Sequence, residues 1–203
     1  MPTIRAFIAV ELDAELKATL AQVQAGLRDQ VPPRSVRWVR PDGIHLTLKF
    51  LGDTPPDKVE AIQAALARAA GEVEPFTFSV SGVGCFPDLR RPRVVWLGLH
   101  EPAGALTRLW KAIEAHVAPL GFPTEGRPFS PHLTLGRLNR DASTADARQV
   151  GQAVTASAPG LAAIHDEMAV RAVGLIKSDL RPGGAVYTQL FEAELGAKMG
   201  DSR

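Results

Sequence analysis

His45-Leu-Thr-Leu48 and His132-Leu-Thr-Leu135 are the same four residues, 132 − 45 = 87 positions apart. In a chain with 5 His and, by count, 11 Thr and 22 Leu, that tetrapeptide is expected roughly 0.003 times by chance. On a β-strand, residues i and i+2 share a face. His45 and Thr47 therefore point one way, and Leu46, Leu48 and Phe50 the other. His132 and Thr134 repeat the arrangement, with Leu133, Leu135 and Arg137 on the opposite parity. The leucines account for a core. They give no reason for a second face of imidazole and hydroxyl, because a polar strand face either meets solvent or serves a site.

The motifs sit inside a longer repeat. Arg5-Ala-Phe-Ile-Ala-Val10, a helix and the first motif are followed by Arg93-Val-Val-Trp-Leu-Gly98, a helix and the second motif. The strand offset is 93 − 5 = 88, close to the motif offset of 87. A near-constant offset over three elements predicts duplication and two similar lobes.

The remaining pattern fits that scheme. Thr3 to Val10 reads as a strand rich in β-formers. Leu12, Leu16, Leu20, Val23 and Leu27 form one helical stripe that opens at Asp13 and ends before Pro32-Pro33. Strands are expected at 36–39 and 44–51, around the Pro41-Asp42-Gly43 turn. A second helix follows, with Thr54 as N-cap, Pro55 at its first position and Gly71 as its stop. Strands at 76–83 and 93–99, a helix over about 103–117 and a strand at 132–138 complete the second motif. An Ala-rich helix over 143–157 leads to two closing strands, 168–176 and 186–191. The expected unit is one domain over 1–196, with a tail at 197–203.

Composition excludes several classes. Hydrophobic residues make up 45% and charged residues 22%, as in ordinary globular proteins. No apolar run reaches the roughly 18 residues needed to cross a bilayer. The opening segment reads as a first strand, since Glu11 and Asp13 follow its short apolar run. Cys85 is the single cysteine, so no internal disulfide or thiolate cluster can form, and a cytoplasmic location is expected. A net charge of +1 argues against a duplex-DNA surface. Arginines are nevertheless grouped, with Arg34, Arg37 and Arg40 before the first motif, Arg127, Arg137 and Arg140 around the second, and Arg90, Arg91 and Arg93 between. Arginine binds phosphate bidentately, although charge groups are more often solvated surface.

Two imidazoles titrate near neutrality, so one can act as base while the other acts as acid. In-line displacement at a phosphodiester needs that pair. Thr47 and Thr134 can hold non-bridging oxygens. Zinc is the rival use of paired histidines, but a catalytic zinc site takes three protein ligands and neither strand face offers a neighbouring His, Cys, Asp or Glu. No nucleophile-elbow pattern is present. His100 and His116 read as surface or packing residues, His165 as part of a connection, and Cys85 as buried and inert.

The chain resembles the 2H phosphoesterases, and within them the RNA 2′,3′-cyclic phosphodiesterases once named 2′-5′ RNA ligases. The matching segments are Arg5 to Val10, His45-Leu-Thr-Leu-Lys-Phe-Leu-Gly52, Pro92 to Trp96, Phe129-Ser-Pro-His-Leu-Thr-Leu-Gly-Arg137, and Leu175 to Leu180 with Tyr187. The resemblance implies an α+β, bilobal fold with antiparallel sheets lining a central cleft and helices outside. It implies hydrolysis of a ribose 2′,3′-cyclic phosphate to a 2′-phosphomonoester without metal or other cofactor. It makes His45 the proton donor and His132 the proton acceptor, a choice the residues themselves leave open. It places Thr47 and Thr134 on phosphate oxygens, Arg137 on the substrate if the strand twists or ends there, and Phe7 near a base. RNA ends or small cyclic-phosphate nucleotides are the expected partners of a monomer. Competing readings are 2′-5′ ligation, another small cyclic nucleotide as substrate, or an RNA-end binding module without catalysis.

Overall fold

The computed structural model describes residues 3–161, 167–181 and 184–197. Strand β1 (Ile4–Glu11) leads to helix α1 (Ala14–Arg28), where Asp13 caps the start by accepting the Leu16 amide at 2.8 Å. The predicted stripe Leu16, Leu20, Val23 and Leu27 is buried. Then come β2 (Val36–Trp38), a single 3₁₀ turn at Pro41–Gly43, and β3 (His45–Thr54). Helix α2 (Val59–Gly71) and strands β4 (Phe76–Phe86) and β5 (Val94–His100) follow. Helix α3 (Ala105–Val117), β6 (His132–Leu138) and α4 (Thr144–Leu161) precede β7 (Glu167–Val170), β8 (Ala172–Arg181) and β9 (Gly184–Glu194).

Two expected boundaries change. Thr54 does not cap α2: it is the fully buried last residue of β3, and its hydroxyl donates to the Gly52 carbonyl. A 3₁₀ turn at Pro56–Lys58 intervenes before the helix. The expected strand over 168–176 is two strands. β7 pairs with β4 and β8 pairs with β1, so the chain changes partners at Arg171. His165 and most of the predicted tail lie outside the described residues.

The strands form one antiparallel sheet ordered β7-β4-β5-β6-β3-β1-β8-β9, with β2 added beside β6. The two expected sheets are thus halves of one. They join through β3 and β6, which share one registered pair, Leu46↔Leu133. Beyond it the strands part, and β2 takes the vacated edge of β6. Each half mixes both repeats. β1 and β3 take β8 from late in the chain, whereas β5 and β6 take β4 from before them. Helices α2 and α3 cover the first half, and α4 lies on β4 with α1 beside it. The helix-side core includes Ile8, Leu46, Leu66, Leu97, Ile113 and Leu133, all essentially inaccessible. At about 25 cal/mol per Å² of apolar surface removed from water, this core is the main stabilising term.

Candidate active site

The register at the β3–β6 junction builds the centre. Extending Leu46↔Leu133 by one residue each way sets Thr47 beside His132 and His45 beside Thr134. Each histidine therefore neighbours the other motif's threonine. All four are half-buried, while Leu46, Leu48, Leu133 and Leu135 are buried on the helix side, as the parity predicts.

Both strands then bulge at equivalent points. On β3, Ala9 pairs with Thr47 but Ile8 pairs with Lys49, so Leu48 is the extra residue. On β6, Trp96 pairs with Thr134 but Val95 pairs with Gly136, so Leu135 is the extra residue. A one-residue bulge reverses the facing of everything after it. Phe50 and Arg137 are consequently returned to the histidine face, and their offset is again 137 − 50 = 87. The sequence parity that directs Arg137 away from the site is corrected by this bulge. Arg137 is exposed, and its charge reaches His132, whose pKa it helps lower.

Each bulge is fastened from behind by a helix. Gln24 of α1 is 2% exposed, and its amide donates to the carbonyls of Leu135 and Val39, both at 2.7 Å. On the other half, Lys49 donates to both carboxylate oxygens of Glu114 on α3 and to the Pro123 carbonyl, each at 2.9 Å. Glu114 also accepts the Glu125 amide at 3.0 Å. That second network fixes the segment running into His132.

The histidines have different walls. His45 stacks on Phe7 with ring centroids 4.5 Å apart, and the Tyr187 ring meets it edge-on at 5.1 Å. Burial, opposed by a hydrogen bond to the Gly43 backbone and aided by the Lys17 charge, lowers its pKa to about 4. His132 meets the Phe86 ring edge-on at 4.8 Å, and its Nδ1 lies 2.8 Å from the Ser130 carbonyl. A carbonyl can only accept, so Nδ1 carries the proton and Nε2 is left free. Burial lowers this pKa too, against the Ser130 hydrogen bond. Trp96 stands beside Thr134, over Gly84, where its ring leaves no room for a Cβ.

The expected residues His45, Thr47, His132, Thr134, Arg137 and Phe7 thus share one face. Phe7 is 3% exposed and backs His45 rather than presenting a surface for a base, which corrects its expected role. Sequence reasoning gave no role to Phe50, Phe86, Trp96 or Tyr187. Phe50 at 68% and Tyr187 at 36% are among the few large apolar side chains left open, which only a register could have revealed. Among the described residues, no three His, Cys, Asp or Glu side chains gather as metal ligands. Cys85 is buried, with its thiol pushed up to about 11 by burial and then by Asp88. His100 is exposed, and His116 pairs with Glu72 at 2.6 Å.

Two duplicated strands, each bringing a His-Thr pair to a common face of an α+β fold, define a two-histidine phosphoesterase. The LigT like phosphoesterase model matches residues 10–96 and again 97–187, and the chain belongs to that family. It is 34% identical over 191 residues to an RNA 2′,3′-cyclic phosphodiesterase of Methanothermobacter thermautotrophicus, covering 92% of this chain and 96% of the relative. It is also 34% identical to one of Escherichia coli, covering 92% and 93%. Among solved structures, a protein of Thermus thermophilus superposes with a TM-score of 0.76 at 29% identity, covering 96% of this chain and all of that one. E. coli LigT complexed with 3′-AMP gives 0.72 at 28% identity, covering 95% and 98%. Among the described residues, no helix is long and apolar enough to cross a membrane.

Proposed function

We propose that this enzyme hydrolyses 2′,3′-cyclic phosphate ends of RNA to 2′-phosphomonoesters, without metal, using His45 as acid and His132 as base. The observation that carries the reading is the β3–β6 junction, where the registered pair Leu46↔Leu133 brings the two His-Thr strands side by side. The cyclic phosphate sits across it. His132 Nε2 takes a proton from water as the water oxygen bonds to phosphorus, and the bond to the 3′-oxygen breaks in line. His45 gives that oxygen its proton. Thr47 and Thr134 donate to the non-bridging oxygens, and Arg137 offsets the developing charge.

The free-enzyme ionisation adds a condition. With a pKa of about 4, His45 is neutral at pH 7 until an anion binds. A phosphate oxygen beside it favours the imidazolium, so the substrate charges its own acid. The domain over 1–196, acting as a monomer in the cytoplasm, completes this reading.

The test is an oligoribonucleotide ending in a 2′,3′-cyclic phosphate, incubated with the protein and a chelator, followed by identification of the new end. A 2′-phosphate is expected. A 3′-phosphate would overturn the acid's assignment to the 3′-oxygen, and loss of turnover with chelator would overturn the metal-free mechanism. No turnover would favour a binding module. His45→Ala and His132→Ala should each lose at least about 10²–10⁴ in rate.

A further inference from the structure

Beyond the reacting centre, the same sheet face continues along β3 and β1. Phe50 is the register partner of Phe7, and a second extra residue, Leu51, brings Asp53 opposite Arg5, so Thr47, Phe50 and Asp53 follow one another in steps of two β1 residues, about 7 Å each at about 3.3 Å per residue. Asp53 is the register partner of Arg5. Beside them Ser178 of β8 pairs with Tyr187 of β9. A cleft of about 610 Å³ opens at this end, lined by Arg5, Asp53, Lys177, Ser178, Leu180 and Arg181 among others. That volume suits one nucleotide, within the roughly 300–1,000 Å³ of small-ligand sites.

Three features of the cleft do not follow from folding. Leu180 is 70% exposed and, two residues past Ser178, shares the sheet face of Tyr187 and Phe50, which lie outside the cleft towards the reacting centre. Lys177 and Asp179 neutralise each other at 3.0 Å. Arg5 makes no ion pair within 4.0 Å among the described residues, and its charge, like that of Arg137, is felt at the Tyr187 hydroxyl. An unpaired guanidinium between exposed apolar surfaces matches a single-stranded nucleotide, which offers a phosphate and an aromatic face.

We propose that this cleft is a second nucleotide subsite. Resting on the phosphodiesterase reading above, it takes the nucleotide on the 5′ side of the cyclic-phosphate terminus. Phe50 carries the terminal base, Arg5 holds the phosphate joining the two nucleotides, and Leu180 packs against the preceding base. The enzyme therefore distinguishes an RNA end from a mononucleotide by contacts remote from the reacting phosphorus.

The experiment compares a nucleoside 2′,3′-cyclic phosphate with a dinucleotide bearing the same terminus, using wild type, Arg5→Gln and Leu180→Ser. Wild type should prefer the dinucleotide by at least tenfold in kcat/KM. Both variants should lose most of that preference through KM, while turning over the mononucleotide within about twofold of wild type. Arg5→Gln should also flatten the dependence of log KM on log salt by about 0.7 for the dinucleotide alone. Equal losses on both substrates, or no wild-type preference, would overturn the subsite and leave the phosphodiesterase intact. Failure of wild type on both substrates would instead overturn the reading beneath it.

Discussion

Replacing Lys49 with Met tests whether the network behind β3 holds the site together. The Lys49 and Glu114 side chains are 5% and 7% exposed, so solvent cannot take the place of either partner. All three ammonium protons are used, two by Glu114 and one by the Pro123 carbonyl. Lys49→Met leaves the carboxylate buried with only the Glu125 amide. Removing one member of a buried ion pair typically costs about 3–5 kcal/mol. At about 2–4 °C per kcal/mol for a chain of this size, the melting temperature should fall by roughly 6–20 °C. The double variant Lys49→Met, Glu114→Leu removes both charges and fills the space with apolar atoms. It retains only the loss of hydrogen bonds to Pro123 and Glu125, about 0.5–1.5 kcal/mol each. The double variant should therefore be more stable than either single one.

Denaturant unfolding of the four proteins, with kcat measured below the transitions, reads both consequences. The segment that Pro123 and Glu125 anchor leads directly to Phe129, which stacks on Trp110 at 5.0 Å, and then to His132. The double variant should recover stability yet keep a depressed kcat, because the apolar pair no longer tethers that segment. Strictly additive destabilisation would refute the buried-pair argument. Full recovery of kcat together with stability would refute the link to His132.

Four further outcomes are expected. kcat/KM should peak between about pH 4 and 6.5 and fall tenfold per unit above it, because the singly protonated pair is required and both free-enzyme values lie below the ordinary histidine value; a limb above pH 7 would contradict this. Since the folded His45 pKa is depressed, the unfolded chain binds more protons between about pH 6.5 and 4, so up to about 3 kcal/mol of stability is lost as pH falls through that window. His45→Leu should remove that slope in pH-dependent unfolding. Gln24→Met leaves the Leu135 carbonyl with the Val39 amide alone and takes the side-chain donor from the half-buried Val39 carbonyl, a loss of about 1–3 kcal/mol in all; it should also lower kcat/KM towards that of Arg137→Ala, and wild-type kcat/KM would show that the bulge holds without it. Phe7→Leu should let water reach His45 and move the acid limb of the pH–rate profile upwards from about 4, whereas an unmoved limb would mean that Phe7 does not set the desolvation.

The local pattern carried much of the fold. Period-two alternation in the motifs and the α1 stripe are properties of adjacent residues, and both elements form where they are expected. What depends on a partner strand was hidden. Residues 168–176 read as one run because the alternately buried residues of β7 pass straight into the continuous buried run Val173–Ile176 of β8, yet the two strands pair with opposite halves. Thr54 has the composition of a cap, but β3 runs on through it because Ile4 pairs with it. The aromatic surround of His45 is equally non-local: Phe7 and Tyr187 come from opposite ends of the chain, joined only by β8 lying between their strands.

The bulges explain why a duplicated motif makes an unsymmetrical site. Up to the threonine the copies are interchangeable, and two identical imidazoles could not by themselves direct a substrate. The extra residues Leu48 and Leu135 then turn the second position after the motif inwards on each side. One copy presents Phe50, an apolar ring, and the other presents Arg137, a fixed cation. Their surroundings diverge in the same sense: His45 lies against Phe7 and Tyr187, while His132 lies within the field of Arg137. A nucleotide has a matching asymmetry, with a base at one end and an anion at the other. Only one orientation sets the base on Phe50 with the phosphate at the junction, within reach of Arg137. In the proposed mechanism that orientation, rather than any difference between the two His-Leu-Thr-Leu copies, decides which ribose oxygen meets the acid.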